Sequence, residues 1–337
     1  MTFTSVAAIG AGRMGVGIAI AHALGGARTS LIDFKDRTPE EYQARADQLR
    51  ADVVAVDQEL RSHRLLAPDT APLGELVSIA HGEPAAAVLA AADLVYEGVP
   101  EFREAKVDAL TRLADLVSPQ TVIASTTSSM VPTELAEVVP HPERFLNVHW
   151  LNPAYITPLV EVSSHPGTSA EVVDRVCESL TSIGKVPVRM GSSPGYIVPR
   201  LQALIMNEAA RMVAEGVATP AEIDKATRYG LGRRFAALGV LEFIDFGGAD
   251  ILHQATGQLG QSVDGHRYQV PDIIEELMAS GQEGLRSGAG FYDHPTSTRA
   301  DYQAQVLTRT IGTVRQLADL PDPELQSSER FGGRPEQ

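Results

Sequence analysis

At 337 residues with 44% hydrophobic content, the chain can bury one large core or two moderate ones, and its length favours two domains. No stretch reaches the roughly 18 to 20 uninterrupted apolar residues of a membrane span, and residues 1 to 4 run into a strand-like segment instead of an export signal, so a soluble, cytoplasmic protein is expected. A formal charge of −15 argues against nucleic-acid partners, and the single cysteine, Cys177, rules out an internal disulfide and a cysteine-based metal site.

The first 33 residues read as strand (Val6 to Ile9), glycine turn (Gly10 to Gly15), Ala/Ile-rich helix to Leu24 and strand (Ser30 to Asp33), which is half of a nucleotide-binding βαβ unit. Thr38-Pro39-Glu40-Glu41 combines an N-cap, a proline at the first helical position and a capping-box glutamate, so a polar helix is predicted to run past residue 60. This helical insertion, near 38–65, interrupts the usual βα alternation. Alternation resumes with a strand over Asp93 to Tyr96, a helix over Arg103 to Val117, a strand over Thr121 to Ala124 and a helix over Val131 to Val139. Strands at Phe145 to His149 and Leu159 to Val162, a helix at Ala170 to Ile183 and a strand at Val186 to Arg189 follow. Strands separated by helices predict an α/β fold, a Rossmann-type, mostly parallel sheet over 1–190. From Pro194 the pattern turns helical, through Ile205, Ala209 and Met212 and again from Pro220 to Tyr229, so 191–320 is read as an all-helical domain. The tail 321–337, rich in Pro, Ser, Glu and Gly, is expected to be disordered, and no internal repeat is found.

Gly10-Ala11-Gly12-Arg13-Met14-Gly15 fits G-x-G-x-x-G where the pattern has meaning, after a strand and opening a helix. Gly10 permits the turn, Gly12 lets a pyrophosphate approach the backbone, Gly15 allows close helix–strand packing, and Arg13 and Met14 lie within the same cofactor-binding turn. Asp33, at the end of the second strand, should accept hydrogen bonds from ribose hydroxyls and repel a 2′-phosphate, which favours NAD over NADP. Lys35 and Arg37 just beyond it leave some tolerance for NADP, and FAD enzymes share the fingerprint.

GAGRMG, DLVYEGVPE followed by Lys106, ASTTSSM, VHWLNP leading to PLVEV, PGYIVPR and SGAGFYD occur in that order between residues 5 and 293. Together they resemble the 3-hydroxyacyl-CoA dehydrogenase family. The resemblance implies that His149 is the catalytic histidine and Glu161 the carboxylate that orients it. It also implies that Ser128 and Asn152 lie near the reacting oxygen, that Glu101 and Lys106 lie along the nicotinamide half of NAD, and that the helical domain serves substrate binding and a homodimer. The chemistry suits these residue types, because hydride removal from a secondary alcohol leaves a proton for a base that titrates near neutrality, and a carboxylate on the far ring nitrogen fixes the tautomer. Simpler readings stand beside two of these assignments: Ser128 as a helix cap, and Glu101 with Lys106 as an exposed ion pair.

Two features depart from the family pattern. Pro199 in PGYIVPR stands where the family usually has asparagine, which removes a side-chain hydrogen bond and requires the start of the following helix to adjust. The stretch Gly230 to Gly239 is more similar to the gulonate and carnitine dehydrogenase branches, which act on free carboxylates, and there Arg233 and Arg234 either meet a substrate carboxylate or lie idle on the surface. The expected function is therefore an NAD-dependent oxidoreductase interconverting 3-hydroxy and 3-oxo groups of an acyl-CoA or a small free hydroxy acid. A non-catalytic, nucleotide-binding or structural homologue is the remaining alternative. The lysine-dependent 3-hydroxyisobutyrate type shares the glycine turn but lacks the His149 to Glu161 pattern.

Overall fold

The computed structural model describes residues 3–318, so the tail expected to be disordered at 321–337 lies outside the described residues. The chain divides into two compact units between Leu204 and Ile205. In the first, β1 (Ser5–Ile9), β2 (Arg28–Ile32), β3 (Val77–Ala80), β4 (Leu94–Glu97), β5 (Val122–Ser125), β6 (Phe145–Trp150), β7 (Leu159–Ser164) and β8 (Val186–Gly191) form one sheet in the order β3-β2-β1-β4-β5-β6-β7-β8. Every neighbouring pair is parallel except β6 and β7. The helices of this unit are α1 (Arg13–Leu24), α2 (Pro39–Ser62), α3 (Leu73–Leu76), α4 (Gly82–Ala90), α5 (Arg103–Ala114), α6 (Pro132–Ala136) and α7 (Ala170–Ser182).

Both faces of the sheet are covered, and the side-chain alternation of each strand divides between them. Val6 and Ala8 of β1, Leu94 and Tyr96 of β4, and Leu146, Val148 and Trp150 of β6 enter one core, while Ala7, Ile9, Val95, Ile123 and Phe145 enter the other. On β6 and β7 this second face turns polar, since Asn147, His149, Glu161 and Ser163 all lie buried there. Glu97 at the end of β4 and Ser125 at the end of β5 extend this buried polar patch along the sheet.

Thr38 and Glu41 form the reciprocal capping box, with Pro39 opening α2. Ala46, Leu49, Val53 and Leu60 are the buried stripe that docks this otherwise polar helix. Three elements were not foreseen in the sequence: α3, then β3, four residues long and beginning where α3 ends, and α4, which opens at Gly82; helix α6 is also shorter than the expected Val131 to Val139.

α8 (Val198–Glu215) runs past Leu204 and so contributes residues to both units. The second unit continues with α9 (Pro220–Ala226), a π-helical turn (Thr227–Gly232), α10 (Arg233–Ala237), α11 (Val240–Gly247), α12 (Ala249–Ser262), α13 (Asp272–Ala279) and α14 (Thr296–Ala318). The irregular stretch between α13 and α14 is tied to Asp245, a buried carboxylate that accepts from the amides of Phe291 and Tyr292 and pairs with His294 Nε2 at 3.0 Å. A side chain at Gly290 would collide with that carboxylate, which accounts for the second glycine of SGAGFYD. No helix among the described residues is long and apolar enough to cross a membrane.

Candidate active site

The strand order reverses between β1 and β4, and ligands of open α/β sheets bind outside the carboxyl ends of the strands at such a point. Gly10 leaves β1 at φ +92°, and the backbone of Gly98, just after β4, occupies the space its Cβ would need. Gly15 is likewise pressed against the Gly10 carbonyl, whereas no atom lies within 4 Å of a Cβ built on Gly12. Gly12 is also the N-cap of α1, with no side chain bonded to the first amides and no acidic residue in the first turn. The orphan N–H groups and the positive end of the helix dipole therefore face a cleft of about 970 Å³, lined by the turn from Gly10 to Met14, Asp33, Arg37, Arg45 and Gly98 to Pro100. Asp33 is buried just past β2, with Arg37 Nε bonded to it, so a ribose hydroxyl would share this carboxylate with Arg37. Arg13 and Lys35 are exposed on the cleft.

Behind the cleft lies a charged network that differs from the exposed ion pair considered above. Lys106 is fully buried and donates to both oxygens of Glu97, at 3.0 and 3.2 Å, with Glu101 at 3.4 Å. Glu97 also accepts from Ser125 Oγ and from the amide of Val99 at 2.8 Å, so a buried charge pair is satisfied from several sides. Glu101 Oε1 accepts from Thr127 Oγ1, from Ser129 Oγ at 2.7 Å and from the amides of Ser128 and Ser129 at 2.8 and 2.9 Å. Burial raises the Glu101 carboxyl, but these bonds and the charge of Lys106 prevail and hold it at about 2. Ser128 is exposed, and its Oγ lies 3.3 Å from the same Glu101 oxygen.

His149 and Glu161 face each other directly across the antiparallel β6–β7 ladder, and Nδ1 meets Glu161 Oε2 at 2.7 Å. An ionised carboxylate only accepts, so Nδ1 carries the proton in this bond and Nε2 is the basic nitrogen of the neutral ring. The other Glu161 oxygen accepts from the amides of Ile197 at 2.9 Å and Val198 at 2.8 Å, at the start of α8. Burial pushes the carboxyl up, but the bonds from His149, Val198 and Ile197 outweigh it and leave Glu161 below its usual range.

Tyr196 and Asn147, both absent from the expected site, complete the surroundings of the histidine. The Tyr196 ring stacks on His149 with centroids 4.7 Å apart; its Oη donates to the Thr127 carbonyl at 2.8 Å and accepts from Asn147 Nδ2 at 3.0 Å. Burial raises the phenol's pKa, so it stays neutral. The PGYIVPR motif contains Tyr196, and the alternation in Phe145 to Trp150 marks Asn147 as facing the same way as His149.

Pro199 sits where its helix can accommodate it. α8 begins at Val198, which places Pro199 in the first turn, where its missing N–H costs no intrahelical bond. Asn152 is exposed and precedes Pro153 through a cis peptide bond. Arg233 and Arg234 belong to the second unit. There they line an apolar cavity of about 430 Å³ between α10, α11 and α14, with their guanidinium groups 4.4 Å over Tyr229 and 5.8 Å over Phe243. Neither forms an ion pair among the described residues.

Comparison with known proteins agrees with this architecture. Residues 5–193 match the family model of the 3-hydroxyacyl-CoA dehydrogenase NAD binding domain, and residues 195–294 match the model of the corresponding C-terminal domain. The 3-hydroxyadipyl-CoA dehydrogenase of Escherichia coli K12 is 36% identical over 296 residues, covering 86% of this chain and 58% of that protein. The L-carnitine dehydrogenase of Pseudomonas aeruginosa is 32% identical over 229 residues, covering 67% of this chain and 71% of that one. Among solved structures, the 3-hydroxyacyl-CoA dehydrogenase of Archaeoglobus fulgidus superposes with a TM-score of 0.72 at 26% identity, over 94% of this chain and 99% of the other. The chain belongs to the 3-hydroxyacyl-CoA dehydrogenase family, oxidoreductases that act on a CH-OH group with NAD.

Proposed function

We propose that the chain interconverts a 3-hydroxy and a 3-oxo group, with His149 as the acid-base and Glu161 as the residue that orients and charges it. The observation that carries this reading is the opposed pair itself, a histidine held at Nδ1 by a carboxylate whose second oxygen is fixed by two amides. NAD, when bound, supplies the hydride acceptor in oxidation and, as NADH, the donor in reduction. In oxidation, Nε2 of His149 takes the proton from the substrate hydroxyl, and Glu161 stabilises the imidazolium so formed. In reduction, the same nitrogen returns the proton to the oxygen. The uncapped start of α1 and Gly12 suit a pyrophosphate, Asp33 suits the adenosine ribose, and the Glu97–Lys106–Glu101 network fixes the wall formed by Gly98 and Val99. In this reading Ser128 and Asn152 approach the substrate oxygen once substrate is bound.

For the substrate, a 3-hydroxyacyl-CoA is the first candidate, in keeping with the family. A small free hydroxy acid is favoured by one observation, the two arginines over aromatic faces that have no carboxylate partner among the described residues. A homodimer through the helical part of the chain accords with α8, in which no residue is buried and Leu201, Leu204, Ile205 and Met206 are exposed. The deciding experiment is a substrate screen at the NADH absorbance, with CoA thioesters beside free 3-hydroxy acids. No turnover of any 3-hydroxy compound would leave only the non-catalytic alternative.

A further inference from the structure

We propose that Arg45, carried by the inserted helix α2, is a binding residue for the cofactor's pyrophosphate. The inference rests on the reading of the glycine-turn cleft as the dinucleotide site. Arg45 lies two turns into α2, on the margin of the buried stripe that begins at Ala46. From there its guanidinium crosses to the glycine turn and donates through Nη2 to the carbonyl of Ala11, between Gly10 and Gly12. It also lines the cleft onto which Gly12 and the first amides of α1 open.

Charge distinguishes Arg45 from the other arginines around this cleft. Arg37 is engaged by Asp33, and Arg112 lies 3.5 Å from Asp36 and 3.6 Å from Asp108. Arg13 is exposed, whereas Arg45 is half-buried and makes no ion pair among the described residues. A guanidinium offers five donors, and the bond to Ala11 engages one of its nitrogens. A half-buried, unpaired cation in a chain of net charge −15, fixed against an anion-binding turn, is suited to an anion. The helix that interrupts the βα alternation thus supplies the cofactor site with a half-buried cation, where the βαβ unit's own Arg13 is exposed.

Binding constants measured by calorimetry or by competition, without substrate, test this assignment. Arg45→Met should weaken NAD and ADP-ribose by about 10- to 100-fold, the loss of charge-assisted hydrogen bonds, and leave adenosine within about twofold. Arg45→Lys, which keeps the charge but not the fork, should recover part of the loss. Asp33→Asn is the reference for the cleft itself and should weaken adenosine and NAD alike. If Arg45→Met weakens adenosine as much as NAD, the arginine only tethers α2 to the turn, and the inference fails. It fails also if NAD affinity is unchanged in Arg45→Met while Asp33→Asn weakens it. If Asp33→Asn alters neither ligand, the cleft reading falls and takes the inference with it.

Discussion

Glu161→Gln separates the two tasks of the carboxylate without changing its shape. One oxygen of Glu161 meets His149 Nδ1 at 2.7 Å, and the other accepts two amides at 2.8 and 2.9 Å. A glutamine has one acceptor and one donor end, so it must fail one side. If its oxygen faces the amides of Ile197 and Val198, its NH2 faces His149, and the neutral ring must then accept at Nδ1 and carry its proton on Nε2. That tautomer cannot take the hydroxyl proton. If the amide is turned round, two backbone donors confront a third donor and the start of α8 loses its acceptor. Loss of the charge-assisted bond alone is worth about 1.5 to 3 kcal/mol, or about 10- to 100-fold in rate. His149→Gln removes the base altogether and should cost about 10² to 10⁴ in turnover with NAD affinity intact. Both variants are assayed at the NADH absorbance with a substrate the wild type uses, beside an NAD titration. Near wild-type turnover in His149→Gln would refute the mechanism, and an undiminished rate in Glu161→Gln would refute the role of the carboxylate.

Oxidation needs a neutral imidazole to receive the proton, so its rate should rise with pH while ketone reduction gains on the acid side; two profiles of the same slope would contradict this. Asp33→Ser should narrow the preference for NAD over NADP by removing the carboxylate that repels a 2′-phosphate, and equal wild-type affinity for both cofactors would refute the premise. Lys106→Met leaves Glu97 buried without its counter-charge and should cost about 3 to 5 kcal/mol, seen as a lowered denaturation midpoint. Glu161 and Glu101, the latter at about 2, both have folded pKa values below the ordinary carboxylate range of about 4.3. The stability they contribute is therefore complete above that range and is lost as pH falls from there through the folded values, about 2 for Glu101; Glu101→Gln should flatten this acid limb in pH-dependent unfolding. Sedimentation at micromolar concentration should give a dimer, and a monodisperse monomer would refute the assembly.

How much of this was legible in the sequence depended on how local each constraint is. The glycine turn was readable because its three demands fall within six consecutive residues, whereas His149 and Glu161 were named through the resemblance that VHWLNP and PLVEV carry. Glu97 was not, although it stands in the quoted DLVYEGVPE stretch: only the fold shows that Lys106 is buried and bonded to it as well as to Glu101. Tyr196 stacks on a histidine 47 residues earlier, a contact that no local pattern encodes. How Pro199 is accommodated depends on where its helix begins, and only the structure places that start at Val198.

The opposed placement of His149 and Glu161 has a consequence for how such chains can lengthen or shorten. Side chains alternate along a strand, so one residue inserted inside the ladder between Asn147 and Trp150 would turn one partner to the opposite face and separate the pair. Insertions in residues 151–158, beyond the paired stretch, leave the ladder as it is. The twelve-residue separation is therefore incidental, and what the chemistry requires is a cross-strand register. Related chains are expected to vary in loop length here while keeping the histidine and the glutamate opposite each other, so a search for a fixed spacing would overlook members that a search for paired strands would find.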